Sequence, residues 1–335
     1  MHLCNTDIKY NSGTNGGTIS FKVDKENIRQ GNALIAIKDS QNTILWSWHI
    51  WITDENIYHT IKVTNHQNVS HDLMPIHLGW CEGEVINYAA RSCQVQFIAH
   101  GQTRLITVNQ MRSTTSTQGN CTFYEWGRKD PLRPSSGYAY KNKTWYNAAG
   151  IASTANHAVE SFPFGNECIK NYIRKPDVMQ KEIGGDNTYF NLWNADNNTN
   201  SNVYNDNPVT KTVYDPCPVG FAMPPSNTFT GFTTTGENVT NTVAKYNGEW
   251  NSSLPGWNFY CGPNKTGGTI FFPMTGERIS SGGHLSAVGS LGHTWSATST
   301  HSNYAHNLTL YTNYWVWPLD RFSKSAGHGV RPCLE

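Results

Sequence analysis

Residues 293–335, HTWSATSTHSNYAHNLTLYTNYWVWPLDRFSKSAGHGVRPCLE, decide how the chain is read. Tyr304, Tyr311, Tyr314, Trp315, Trp317 and Phe322 are interleaved there with His, Asn, Ser and Thr, and no Glu occurs before the last residue. Tyr and Trp supply large contact area at low entropic cost, and Asn, Ser and His supply adaptable hydrogen bonds. That is the composition of a recognition surface. Leu308, Leu310 and Val330 read as core. The run YWVWPLDRF (314–322) has no clean period of two, so part of it is expected to face solvent. Tyr314, Trp315, Trp317, Arg321 and Phe322 belong to the residue types that dominate interface energetics, which makes them the contact candidates.

The chain of 335 residues has room for more than one domain and a sizeable core. Net charge is +1 and only 15% of residues are charged, with no basic stripe, which argues against a nucleic-acid partner held through phosphates. With 29 Gly, 12 Trp and 16 Tyr, the composition suggests a mostly β, loop-rich protein outside the cytoplasm. Polar chain follows Met1 directly, without the pattern of a secretory leader, and no run reaches transmembrane length. The eight cysteines form no C-x-x-C pair, so a zinc ribbon or thioredoxin-type site is not expected. An even count permits disulfides, and buried free thiols are the alternative.

Along the chain, GGTISFKV (16–23) alternates as a strand. NALIAIKD (32–39) and TILWSWHIWIT (43–53) read as a hairpin turned at Asp39–Asn42, with Trp46 and Trp48 on one face, Trp51 on the other, and all three expected in packing. Residues 92–110 form a second alternating hairpin around Gly101. In FYEWGRKDP (123–131) the charges are expected to be held locally. Asp196, Asn198 and Asn200 echo a calcium loop, but Ser201 stands where Gly is needed and Asn207 where Glu is needed, so an Asx-turn loop is the better reading. Residues 211–232 are rich in proline turns, with a helix starting near Ser226.

An ordered series of motifs, TILWSWHIWITD (43–54), MPIHLGWC (74–81), FYEWGRKDP (123–131), VYDPCPVGFAMPPS (213–226) and GVRP (329–332), resembles Bacteroidetes fimbrillin-like surface proteins that carry the Fibrobacter succinogenes major paralogous domain. The ending, Trp295-Ser-Ala297, then Ala305 to Leu310, then Gly327 to Pro332, resembles the C-type-lectin-like variable proteins of diversity-generating retroelements. The resemblance implies an α+β fold, mostly β and loop-rich. Residues 1–53 would be the C-terminal part of a β-sandwich domain of Ig-like or fimbrillin-like type. Residues 54–335 would be a C-type-lectin-like ligand-binding domain with a hairpin insertion near 84–112 and a variable segment at 293–323. Diversified, ligand-contacting positions would be His301, Asn303, Tyr304, His306, Tyr311, Asn313, Tyr314, Trp315, Trp317, Asp320, Arg321 and Phe322. Two residues depart from that pattern. His328 stands where an aromatic is usual, and Cys333 stands where Val is usual and would allow an added disulfide.

The implied function is a pilus-tip or cell-surface adhesin at the outer membrane, binding a protein or glycan ligand on another cell or host surface. Alternatives are a structural subunit packing against other pilus subunits and a phage receptor-binding protein. No enzyme is expected. Formylglycine-generating enzymes share the implied fold, but Cys261 and Cys333, the nearest candidates for their cysteine pair, lie in apolar runs where burial would make them inert. H-E-x-x-H, G-x-S-x-G and Gly-rich phosphate loops are absent. No metal and no cofactor are expected either. The Glu-Pro-Asn or Gln-Pro-Asp loop of calcium-dependent lectins is missing, and Trp193-Asn-Ala-Asp196 is only a partial echo of their second motif.

Overall fold

A computed structural model describes residues 8–13, 16–83, 85–116, 118–163, 165–181, 192–196, 203–300, 303–312 and 314–335. Strands make up 47% of it, so the chain is β-rich with long connecting loops. After a short ladder of Lys9–Gly13 with Gly16–Ser20, a longer hairpin pairs β1 (Gly31–Lys38) with β2 (Ile44–Ile52). Its turn closes because the Asp39 carboxylate accepts the backbone N–H of Gln41 and Thr43 at 2.9 and 2.8 Å, and Asn42 takes a positive φ of 65°, which Asn tolerates.

Alternation along β2 decides what the hairpin holds. Ser47, His49 and Trp51 share the face that meets the rest of the chain. Ser47 donates to Asp130 at 2.8 Å, His49 bonds the Tyr124 hydroxyl at 3.0 Å, and the Trp51 indole donates to the Trp80 carbonyl at 2.9 Å. His49 also bonds Asn32, so both of its ring nitrogens have partners. Trp46 is half-buried under the Lys129 ammonium, 4.6 Å from its ring. Trp48, expected in packing, is 40% exposed, although Ile35 opposite it on the same face is buried.

Next come β3 (Ile61–Thr64) and β4 (Ser70–Leu73), then β5 (Arg91–Ala99) and β6 (Gln102–Gln110). The β5–β6 hairpin turns on His100 and Gly101 with φ of 48° and 72°, both positive as a two-residue hairpin loop requires. The α-helix α1 (Asn166–Arg174) buries Cys168 and Tyr172. The stretch expected to start a helix near Ser226 is a 3₁₀-helix, Ser226–Phe232, with every residue buried. A three-stranded sheet joins Gly248–Asn251 to β7 (Gly256–Gly262) and β8 (Thr266–Pro273). The final large sheet is antiparallel and sets Val239–Thr240 beside β11 (Trp315–Ser323), β10 (Tyr304–Tyr311) and β9 (Leu291–Ser299), in that order.

The chain ends beside an early strand. Cys333–Leu334 lies between β4 and Phe221–Ala222 in one sheet, and Arg331 secures the closure. Its buried guanidinium donates to the carbonyls of Met74 and Phe271 at 3.1 and 2.6 Å and lies 4.5 Å over the Phe272 ring. Two apolar clusters flank the β9–β11 sheet. Leu308, Leu310 and Val316 enter the one built on Phe232, Phe259 and Phe272, whereas Trp295, Ala297 and Ala305 enter the one built on Trp126, Trp193 and Tyr124.

All seven cysteines among the described residues are free. Cys333 therefore forms no added disulfide, and burial pushes its thiol up to about 12. Cys261 is half-buried and its thiol is also raised by burial, so neither is a poised nucleophile. Asp196 makes a local turn with Asn194, whose side-chain oxygen accepts its N–H at 3.1 Å; the remainder of the calcium-loop echo, Asn198 to Ser201, lies outside the described residues.

Candidate functional site

The C-terminal sheet presents a row of aromatic rings because of one irregularity in β11. In register, Tyr311 faces Trp315 and Thr309 faces Trp317, but Asn307 faces Asp320 and Ala305 faces Phe322. One extra residue is thus accommodated on β11 between Trp317 and Asp320, a β-bulge at Pro318–Leu319. Proline has no N–H to give the ladder, and bulges are where a strand tolerates it. The Leu319 N–H turns instead to the Asn238 side-chain oxygen at 2.9 Å, and the Asn238 amide donates back to the Leu319 carbonyl at 3.2 Å.

The bulge shifts the alternation by one. Trp315, Trp317, Asp320 and Phe322 consequently share one face of the sheet, opposite Val316. This accounts for the missing period of two in YWVWPLDRF.

At the open end of that face the Trp315 and Trp317 indoles stack, with centroids 4.6 Å apart and planes 7° from parallel. Tyr311 lies 4.9 Å from Trp315, and Tyr314 lies 6.2 Å from Tyr311. Trp315, Trp317 and Tyr311 are half-buried, while Tyr314 is 51% exposed. The Trp317 N–H donates to the Thr240 hydroxyl at 3.0 Å, which fixes that ring's edge and leaves its face to the row. Tyr304, also exposed, stands at the other end of β10, opposite Ser323.

The remaining candidates are placed differently. Arg321 is exposed and Asn303 is half-buried. Asp320 is half-buried and accepts the Thr309 hydroxyl proton at 2.6 Å; burial raises its carboxyl above the ordinary range. Phe322 packs on the core with its ring 5.1 Å from His293 and 4.7 Å from His328. His306 is buried, its ring 4.0 Å from that of Tyr204. His301 and Asn313 lie outside the described residues. The structure thus brings Tyr311, Tyr314, Trp315 and Trp317 together, buries His306 and packs the half-buried Phe322 against the core.

Thr240, Asn238 and Tyr246, whose hydroxyl donates to the Tyr314 carbonyl, brace the aromatic row without having been singled out in sequence. They precede β11 by more than sixty residues and carry no motif, so only the folded chain shows the connection. On the same face Glu277, His293 and His328 gather under Phe322; of these only His328 drew attention in sequence, as a departure from an aromatic.

No helix among the described residues is long and apolar enough to cross a membrane. Comparison with protein families, with curated proteins and with solved structures found no match.

Proposed function

We propose that this chain is a ligand-binding surface protein, an adhesin of the cell exterior, whose C-terminal segment contacts a protein or glycan through a C-type-lectin-like scaffold carrying diversified positions. One observation carries the reading: a row of four aromatic rings lies at the open end of a sheet face whose far end, like the sheet's other face, is packed into the core. Stacked indoles make a flat, stiff, partly apolar platform with few side-chain torsions to freeze on binding, suited to the apolar face of a sugar ring or to a protein side chain. The fimbrillin-like preceding domain belongs to the same proposal and rests on the motif series.

Replacing both Trp315 and Trp317 by alanine is the direct test. The rings rest on one another and on Tyr311 rather than filling the core, so stability should fall by no more than about 1–2 kcal/mol. Binding to a glycan array and to host-cell surface protein should be lost. Unchanged binding, or a variant that no longer folds, would refute the assignment. Sequenced alleles that differ at Tyr311, Tyr314, Trp315, Trp317 and Arg321 while keeping Leu308, Leu310 and Val316 would support diversification.

A structural subunit is the second reading, and the β5–β6 hairpin favours it. Every described residue of both strands is exposed, including Val95, Phe97, Ile98, Leu105, Ile106 and Val108. An isolated two-stranded ribbon is marginal in water, and apolar patches of this kind mark contacts with other chains. Shortening residues 91–110 to a tight turn should leave the fold intact. Loss of self-association in sedimentation velocity would favour assembly, and a monomer before and after would favour ligand binding alone.

A further inference from the structure

Glu277, His293 and His328 come from three separate strands, Glu277–Arg278, β9 and Gly327–His328, and each offers one ligand atom within 4.8 Å of the others. The His328 Nε2 lies 3.7 Å from a Glu277 carboxylate oxygen, too far for a hydrogen bond. Both imidazoles are buried, at 2% and 0% exposure. Among the described residues neither ring nitrogen of His328 has a hydrogen-bond partner, nor does Nε2 of His293. Buried polar atoms without partners are rare and need a reason, and a phenyl ring would fill this space without leaving any.

Proton accounting around His293 sharpens the point. Thr309 has one hydroxyl proton, which goes to the Asp320 carboxylate at 2.6 Å. The Thr309 oxygen can then only accept from His293 Nδ1, 3.0 Å away. The Asn307 amide nitrogen approaches the same ring nitrogen at 3.3 Å, but its two protons have closer acceptors in Thr309 Oγ1 at 2.8 Å and the Leu308 carbonyl at 3.2 Å. Nδ1 therefore carries the proton, and Nε2 presents a bare lone pair. A carboxylate acting through a hydroxyl on the far nitrogen is the support that orients a metal-binding histidine.

We propose that Glu277, His293 and His328 form a binding site for a divalent transition-metal ion, with zinc the ion that matches two imidazoles and one carboxylate. Burial keeps both imidazoles neutral and their lone pairs available, pushing His293 down to about 3 and His328 well below its usual value. The rings stack at 4.3 Å with planes 14° apart, so one must turn for both lone pairs to reach a common point. His328 is the ring that turns, since no hydrogen bond holds it. Glu277 is 13% exposed, which gives the ion an entry path and leaves a fourth position for water. Trp317, Thr309 and His293 lie in register across three adjacent strands, so the ion would tie the aromatic sheet to the two short strands beneath it. The site departs from the sequence expectation of no metal and does not depend on what the aromatic row binds.

The test uses the full chain stripped with EDTA and titrated with Zn²⁺ by calorimetry and against a chromogenic chelator. One ion per chain should bind and raise the thermal unfolding midpoint, and Co²⁺ should show the visible spectrum of a tetrahedral site. His328→Phe should weaken Zn²⁺ binding by at least about 100-fold while the metal-free midpoint stays the same or rises. Glu277→Gln, a change at the accessible edge, should weaken binding in the same direction and decides the matter if the first variant does not fold. Absence of Zn²⁺ binding by the parent chain overturns the proposal. So does binding left undiminished by His328→Phe, or by Glu277→Gln if it is the deciding variant, which would assign the ion to exposed histidines elsewhere.

Discussion

Arg128→Met should destabilise the fold by about 3–5 kcal/mol, the usual result of leaving a buried charge without its partner. Arg128 and Glu125 form an ion pair with both side chains almost completely buried. The guanidinium also donates to three carbonyls, those of Val178 at 2.7 Å, Lys175 at 3.1 Å and Pro176 at 3.0 Å, and lies 4.5 Å over the Tyr172 ring. It thereby holds the loop after α1 against the Tyr124–Glu125 strand. Burial raises the Glu125 carboxyl to about 7, with Arg128 and the Gln180 N–H opposing that rise. Without Arg128 the carboxyl would take up a proton, and three carbonyls would lose their donor.

Glu125→Gln should cost less, because the amide oxygen can still accept the Gln180 N–H, now at 2.7 Å from Glu125, and Arg128 keeps its carbonyls. Urea denaturation followed by tryptophan fluorescence separates the two variants. An Arg128→Met protein within about 1 kcal/mol of the parent would show that the pair merely occupies space.

Acidification should destabilise the protein steeply below pH 6.5. His77 and His157 are buried and His49 is half-buried, and each has its folded-state value below the ordinary 6.5. Burial alone takes His49 to about 3; for His77 burial is joined by Arg331, and for His157 by Arg278 and Arg133. Hydrogen bonding points the same way. Arg331 donates to His77 Nδ1 at 3.0 Å, and the Arg133 backbone N–H donates to His157 Nε2 at 3.0 Å, so a second ring proton at either site would displace a donor.

Lowered values mean that the unfolded chain binds more protons than the folded one. The stability these residues confer is complete above 6.5 and is lost as pH falls toward the folded values, by up to about 1.4 kcal/mol per pH unit for each group. Thermal midpoints recorded from pH 7.5 to 5 should decline with increasing slope, and His49→Gln should flatten the curve. A midpoint that stays level between pH 7 and 5 would refute the account.

Much of the fold was legible because strand alternation and turn chemistry are local. The hairpins at 31–52 and 92–110 follow from alternation and from turns at Asp39–Asn42 and Gly101, and the pairing registers bear them out. Leu308, Leu310 and Val330 stood out as core, and all three are buried. The charges in FYEWGRKDP are indeed held locally, Arg128 by Glu125 and Lys129 by Asp130 at 2.6 Å.

Composition by itself singled out residues 293–335 as carrying the aromatic and polar candidates, and local periodicity identified the strands. Tertiary structure decided which candidates face outward. A bulge at Pro318 shifts β11 by one residue and brings Asp320 and Phe322 to the face of Trp315 and Trp317, while Tyr204 covers His306. It also decided that Glu277 would meet His293 and His328, and that Asn238 and Thr240 would brace the aromatic row. The physical reason is one of range. A side chain's alternation depends on its immediate neighbours, but the face it presents and the atoms it meets depend on strand register, and register is set by segments distant in the chain.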